Sequence, residues 1–263
     1  MGPKSAAKLV IDWDVRGWMS NQQSIAVLAL EGARIEWLGS AARFRLAPQK
    51  PLTLLSLLSP ALDDSVASQS IDEANILLAI DAPLAYPVLF RQVLNGAETM
   101  SLPPRSEIES RLAYRDCERW VHKQFGKKPL SAPFDKLGNN ASLALSVCSA
   151  LKRAGFRLIP QDDVLAGRAI IEVYPGLVKA GPRRGEPAIA PLARHIPPDV
   201  EPGTDLYDAM ICALLGAVHL DWGSKEGIPK LIAPSGDFDR SEGWIFCLPP
   251  EYVRSFQLGQ SVG

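Results

Sequence analysis

Five acidic residues of the chain stand where carboxylates can be gathered for chemistry. Asp12, Asp81 and Glu172 lie at or near the ends of apolar segments with strand character. Asp205 and Asp208 lie three residues apart, where an apolar helical segment begins. Because ligand sites of open α/β sheets form beyond the carboxyl ends of the strands, these side chains are expected to meet at one edge. Grouped carboxylates repel one another unless they are protonated or bind metal. Their oxygens suit Mg²⁺ or Mn²⁺, which can drive phosphodiester hydrolysis.

Each of these acids also has a purely structural interpretation. Asp81 can start a turn before Pro83. Asp205 can stabilise the helix dipole, an argument that weakens for Asp208 one turn further along. Glu172 is harder to explain in this way, because an unpaired acid in a buried strand is costly. No single acid is diagnostic, and the prediction of a shared catalytic and metal-binding site depends on their combination.

The segments that would position the acids indicate an α/β fold. Strands are predicted at KLVIDWD (8–14), ANILLAI (74–80) and RAIIEVYPG (168–176), and a hairpin with its turn at Gly32 follows the first strand. Helices are predicted over 51–70 and from Thr204 onward, where the pattern is apolar and helical. We therefore predict a single domain over 1–263, with a mixed sheet of five-stranded type and helices on both faces. The more polar stretch of about 86–168 is expected as a helical insertion.

Several short motifs carry a resemblance to a known family. IDAP, YRDCER, IEVYP, DLYDAMICALLGA and EGWIF resemble the predicted-nuclease family named domain of unknown function 429. The order of elements is similar to that of the ribonuclease-H-like superfamily, and the late helix resembles that of the Holliday-junction resolvases. The resemblance covers Lys8 to about Pro249. It implies a ribonuclease-H-like fold, with metal ligands at Asp12, Asp81, Asp205 and Asp208 and with Glu172 beside them.

The chain departs from the superfamily directly after its first acid. Trp13, Asp14 and Val15 stand where small residues are usual, so Asp14 is an alternative ligand from the first strand. We take Asp12 and Asp14 to point to opposite faces of that strand, so that only one of them joins the cluster. We choose Asp12.

Basic residues are candidates for contacts with the phosphate of a substrate. Four of them recur every four residues, which predicts one basic face of a helix: Arg111, Arg115, Arg119 and Lys123. That face is either solvated and paired with neighbouring acids or a row of phosphate ligands. The family resemblance falls on Arg115, and Lys179 follows the strand that contains Glu172. We select Arg115, Arg119 and Lys179 as candidate substrate-binding residues, with surface solvation as the alternative.

Composition narrows the classes of function. With 28 Lys and Arg against 29 Asp and Glu, the net charge of −1 argues against a protein that coats nucleic acid through general electrostatics. The four widely spaced cysteines predict reduced, buried thiols. No signal peptide or membrane span is recognised, so a cytoplasmic protein without a membrane partner is expected. The absence of Walker A and G-x-G-x-x-G motifs argues against a nucleotide kinase or a dehydrogenase.

The sequence thus predicts a divalent-metal-dependent phosphodiester hydrolase, a nuclease that uses Mg²⁺ or Mn²⁺ and acts on nucleic acid. Two alternatives remain open. One is a phosphoesterase that acts on a small nucleotide, which the near-zero net charge favours. The other is a non-catalytic nucleic-acid-binding or assembly protein of the same fold, because a fold alone does not determine an activity.

Overall fold

A computed structural model describes residues 8–18, 20, 22–63, 75–97, 103–134, 137–162, 167–181, 183 and 185–257. Within these ranges eight strands form one sheet: β1 (Lys8–Asp14), β2 (Gln23–Glu31), β3 (Arg34–Trp37), β4 (Ala42–Phe44), β5 (Asn75–Asp81), β6 (Arg157–Leu158), β7 (Arg168–Val173) and β8 (Ile245–Phe246). The same ranges contain seven α-helices: α1 (Leu54–Leu58), α2 (Val88–Leu94), α3 (Asp116–Phe125), α4 (Leu137–Arg153), α5 (Ala190–Ala193), α6 (Asp205–His219) and α7 (Pro250–Gln257). The α/β class predicted from the sequence is confirmed.

The sheet is mixed, and its strand order is β3-β2-β1-β5-β7-β6. In addition, β4 pairs with β2 and β8 pairs with β7. Strand β2 is antiparallel to β1, β3 and β4, whereas β1, β5, β7, β6 and β8 run parallel. The predicted hairpin of β2 and β3 is present, with Gly32 at a φ of 62° in its turn. The expectation of a five-stranded-type sheet was wrong, because the short strands β4, β6 and β8 carry too few residues for a sequence pattern to reveal them.

Helices cover both faces of the sheet, as predicted. One face is buried against α6, with further contributions from α3, α5 and α7. The other face is buried against α1 and α4. Strand β1 shows the alternation that separates the two layers, because Val10 belongs to the first core and Leu9 and Ile11 belong to the second.

The segment of about 86–168, predicted as an insertion, is built into the body of the fold. Its longest helix, α4, packs Leu143, Val147 and Leu151 against the sheet, and its last residues supply β6. The helix predicted over 51–70 is present at Leu54–Leu58, and residues 64–70 lie outside the described ranges. All four cysteines are free and buried, as predicted. None of the described helices is both long and apolar enough to cross a membrane.

Candidate functional site

The acids of the first two parallel strands meet at one edge of the sheet. Asp14, the last residue of β1, lies beside Asp81, the last residue of β5, in the parallel register. Strand β7 continues the edge, with Glu172 beside Ile80 of β5. Since parallel strands end on the same side, the residues that follow them form the rim of one depression.

The choice of Asp12 over Asp14 rested on a wrong premise. Residues two apart in a strand point to the same face, so Asp12 and Asp14 both face α6. Asp12 lies beside Ala79, two residues deeper along β1, and it is fully buried. Asp14 lines the surface pocket at the edge, and Asp12 is absent from that lining. Asp14 is therefore the residue of β1 that faces solvent-accessible space.

Helix α6 brings the remaining two acids to the same edge. Thr204 caps the helix, because its hydroxyl accepts a hydrogen bond from the backbone N–H of Tyr207 at 3.2 Å. Further along, Gly216 lets the helix approach the sheet closely, since a Cβ there would lie 2.5 Å from Cγ1 of Val10. The first turn thus places Asp205 and Asp208 at the pocket.

These residues line a pocket of about 360 Å³, within the range typical of sites for small ligands. Its polar wall contains the four acids of the edge together with Arg16: Asp14, Asp81, Asp205 and Asp208. Its apolar wall includes Pro83, Pro129, Leu130 and Leu137. We refer to the four acids of the edge and the deeper Asp12 as the acid cluster.

Two cationic side chains pair with acids of the cluster. Arg16 forms an ion pair with Asp205, and its Nε lies 3.4 Å from Oδ2 of Asp14. Lys179 Nζ lies 2.8 Å from Oδ1 of Asp208, and Lys179 is itself buried. The candidate substrate residue Lys179 therefore serves as a counter-ion to a candidate metal ligand.

Burial and mutual repulsion disfavour the charged forms of these acids. Burial raises the pKa of Asp14 to about 6, although Arg16 opposes the shift. Burial and then Asp14 and Asp208 raise the pKa of Asp81 well above its usual value. Burial, followed by Asp14 and Asp81, also raises the pKa of Asp12, and the Cys212 thiol opposes this by hydrogen bonding. Among the described residues, no nitrogen or oxygen donor reaches either carboxylate oxygen of Asp12.

Glu172 belongs to a different arrangement at the same pocket. It accepts two hydrogen bonds from Arg115, at 2.6 Å from Nη2 and 2.8 Å from Nη1, and one from the backbone N–H of Leu84 at 2.9 Å. Arg115 also donates to Glu118 through Nε and Nη2 and to the carbonyl of Glu242 through Nη1. We call Arg115, Glu118, Glu172 and Glu242 the Arg115 cluster.

The structure places the predicted phosphate ligand Arg115 where it has no donor left for a substrate. Its side chain is completely buried, and its five N–H groups are all engaged within the protein. The predicted basic face is shorter than the sequence suggests, because α3 begins at Asp116 and Arg115 is its N-cap. Arg119 pairs with Asp116 one turn away, which matches the solvated-face alternative.

The oxygens of the acid cluster are of the donor type that hard divalent cations prefer, because all of them belong to carboxylates. Asp12 keeps two buried oxygens without a nitrogen or oxygen donor among the described residues. The cations paired with its acids are Arg16, beside Asp205, and Lys179, beside Asp208. In the part of the chain that the structure describes, no group of three or more His, Cys, Asp or Glu side chains is arranged to hold a metal ion.

Sequence reasoning missed Arg16 and Glu118, and it gave Tyr174 no role. Arg16 follows Asp14 by two residues, and this D-x-R spacing is the signal that could have indicated an acid with its counter-ion. Tyr174 stands in the quoted IEVYP motif and lines the pocket, where burial raises its pKa to about 12. Glu118 stands in the YRDCER motif, and only its contact with Arg115 shows that it faces inward.

Comparisons of the chain with protein families, curated proteins and solved structures found no match.

Proposed function

We propose that the protein is a divalent-metal-dependent phosphodiester hydrolase of ribonuclease-H-like fold. The observation that carries the proposal is the convergence of Asp14, Asp81, Asp205 and Asp208 on one pocket, with more carboxylates than the two cations beside them can neutralise. A group of acids under this repulsion is stabilised by a cation, and oxygen-only ligands favour Mg²⁺ or Mn²⁺ over softer metals.

The four acids of the pocket edge would hold the cation, with Asp12 behind them. A bound divalent cation supplies Lewis-acid stabilisation of the charge that develops on a phosphoryl group. Asp14 and Asp81, which end neighbouring parallel strands, would supply ligands from the sheet, and Asp205 and Asp208 would supply them from α6. Pro83, Leu130 and Leu137 would form an apolar wall beside the reacting group.

The dimensions of the site favour a second candidate substrate, a small nucleotide. A pocket of about 360 Å³ can enclose a small ligand, and one wall is apolar where a base can pack. With a net charge of −1, the protein also lacks the excess of positive charge that favours the binding of long nucleic acids. We therefore include mononucleotide esters beside oligonucleotides in the test.

The test is hydrolysis of labelled single-stranded, double-stranded and branched oligonucleotides and of a mononucleotide phosphodiester, with Mg²⁺, Mn²⁺ or EDTA. We expect cleavage that requires the metal, and we expect Asp81→Asn to lose it by at least about 100-fold, as is typical when a charge-stabilising group is removed. Asp221→Asn is the matched control, because Asp221 forms an exposed ion pair with Lys230 and does not line the pocket.

Two outcomes would overturn the proposal. If every substrate stays intact while Mn²⁺ binds, the acid cluster serves a binding or assembly protein without turnover. If Asp81→Asn retains metal-dependent cleavage at the rate of Asp221→Asn, the acids of the pocket are not the catalytic group.

A further inference from the structure

The connection between β1 and β2 holds an arginine over the acid cluster. A buried side chain, Gln23, fixes the backbone on both sides of Arg16: its Oε1 accepts from the N–H of Arg16 at 2.9 Å, and its Nε2 donates to the carbonyl of Gly17 at 3.1 Å. Gly17 has a φ of 80°, and a Cβ there would lie 2.6 Å from the side chain of Asn139. The base of the Arg16 side chain is therefore held firmly at the pocket.

The tip of Arg16 is less constrained than its base. The side chain is 37% exposed, whereas that of Lys179, the other cation of the cluster, is 9% exposed. The guanidinium pairs with Asp205, but its buried Nε lies near Asp14 without forming a hydrogen bond. Of the two cations paired with the acid cluster, Arg16 is thus the one whose side chain lies closer to solvent.

The charges around Arg16 give a reason for its guanidinium to move away from the acids when a divalent cation binds. The acid cluster holds five carboxylates, and Arg16 and Lys179 form ion pairs with three of them. Asp12 is completely buried without a nitrogen or oxygen donor among the described residues. A divalent cation placed beside Asp14 and Asp205 would repel a guanidinium that contacts both. A guanidinium released at the mouth of a pocket is well shaped for a phosphate, because its planar N–H groups match two phosphate oxygens at once.

We infer that Arg16 is an internal counter-ion that holds the metal-free acid cluster and becomes the phosphate-binding residue once a divalent cation is bound. The inference rests on the proposed function, because it assigns to that site its phosphate ligand. It gives Arg16 the role that the sequence suggested for Arg115, whose donors are all engaged inside the protein. In this arrangement Arg16 competes with the cation for the acids of the cluster, and it binds the phosphate once the cation has taken its place.

Two substitutions separate the charge of Arg16 from its shape. Arg16→Gln removes the charge, so Mn²⁺ should bind about tenfold more tightly than to the wild type, as expected when one neighbouring positive charge is lost. Arg16→Lys keeps the charge, so its Mn²⁺ affinity should stay near that of the wild type. With saturating Mn²⁺, inorganic phosphate should bind about tenfold more weakly to both variants, because neither offers a planar fork.

Mn²⁺ binding is measured from the paramagnetic resonance signal of the free ion, and phosphate binding is measured by calorimetry on the Mn²⁺-loaded full chain. Arg194→Gln is the matched control, since Arg194 forms a surface ion pair with Glu226 at 2.6 Å and does not line the pocket. Melting curves without metal verify that each variant is folded, and Arg16→Lys carries the phosphate test if Arg16→Gln does not fold.

The result expected is tighter Mn²⁺ binding by Arg16→Gln together with weaker phosphate binding by both Arg16 variants. Unchanged Mn²⁺ affinity in Arg16→Gln, or unchanged phosphate affinity in Arg16→Lys, would overturn the inference while leaving the metal site intact. Failure of the wild type and of Arg16→Gln alike to bind Mn²⁺ would instead refute the proposed function, and the inference with it.

Discussion

Two groups of buried charges border the same pocket, and they are neutralised to different degrees. In the Arg115 cluster, every carboxylate oxygen of Glu118, Glu172 and Glu242 accepts at least one hydrogen bond, and every N–H of the guanidinium donates one. In the acid cluster, no nitrogen or oxygen donor among the described residues reaches Asp12, and burial followed by repulsion from Asp14 and Asp208 raises the pKa of Asp81. The first group is complete within the protein. The second contains acids whose charged forms are disfavoured by burial and repulsion, and a bound cation would stabilise those forms.

The difference indicates which group is structural and which can be functional. The carboxylate of Glu242 accepts hydrogen bonds from the backbone N–H groups of Val88 and Asp116. The Arg115 cluster therefore connects the starts of α2 and α3 to the end of β7. Such satisfied networks hold elements in one geometry. The carboxylates of the acid cluster repel one another, an unfavourable interaction that a purely structural core would avoid. Perturbed pKa values of this kind are concentrated at functional sites.

The largest expected effect tests whether the Arg115 cluster is structural. Arg115→Met leaves the buried carboxylates of Glu118 and Glu172 without their cation, which should cost about 3–5 kcal/mol of unfolding free energy. In a domain of this size the melting temperature should fall by roughly 6–20 °C. Urea unfolding and thermal melts measure both quantities.

The control for that substitution lies one turn along the same helix. Arg119→Met breaks a partly exposed ion pair with Asp116, and such pairs contribute about 0–1 kcal/mol. If Arg115→Met and Arg119→Met lower the free energy of unfolding equally, the buried Arg115 cluster contributes no more to stability than a surface ion pair.

The next effect concerns the pH dependence of the acid cluster. Because burial raises the pKa of Asp14 from 3.8 to about 6, the native state binds more protons than the unfolded state between these values, and stability should fall as pH rises through this window. The difference corresponds to at most about 3 kcal/mol. Asp14→Asn should therefore be more stable than the wild type at pH 7.5, and this advantage should disappear toward pH 4.

Urea unfolding at pH 4.5, 6 and 7.5 measures this effect as the difference between Asp14→Asn and the wild type. Asp221→Asn provides the opposite sign, because a hydrogen bond from Lys230 lowers the pKa of Asp221, whose stabilising charge is lost on acidification. A pH-independent difference between Asp14→Asn and the wild type would show that the pKa of Asp14 is the same in the folded and unfolded states, so that Arg16 offsets the effect of burial.

The smallest expected effect tests whether the N-terminal cap of α6 positions the two acids of its first turn as well as stabilising the helix. Thr204→Ala removes the cap of α6 and should cost about 1 kcal/mol. Because Asp205 and Asp208 occupy the first turn, the same change should weaken Mn²⁺ binding. Thr53→Ala removes the equivalent hydrogen bond at α1, 3.2 Å from the N–H of Ser56, and should leave Mn²⁺ binding unchanged. Identical Mn²⁺ affinities of the two variants would show that the cap does not position the acids.

Sequence patterns were informative where one element alone determines the result. The apolar runs of β1 and β5 end at Asp14 and Asp81, and the start of α6 follows its Thr204 cap, so both the elements and their terminal acids could be predicted. The same reasoning failed for Asp12 and Asp14, because the alternation of side chains along β1 was applied incorrectly. It also failed for Arg115, since a repeat of four residues does not show where a helix begins.

The sequence by itself determined the α/β class, the hairpin after β1, the buried reduced cysteines and the acids that end the central strands, because local periodicity and residue chemistry encode these features. Only the tertiary structure decided which charges meet. Arg115 and Glu172 are 57 residues apart, and Arg16 and Asp205 are 189 residues apart. No local pattern relates residues at such separations, because their pairing depends on the register of parallel strands and on how closely α3 and α6 pack against the sheet.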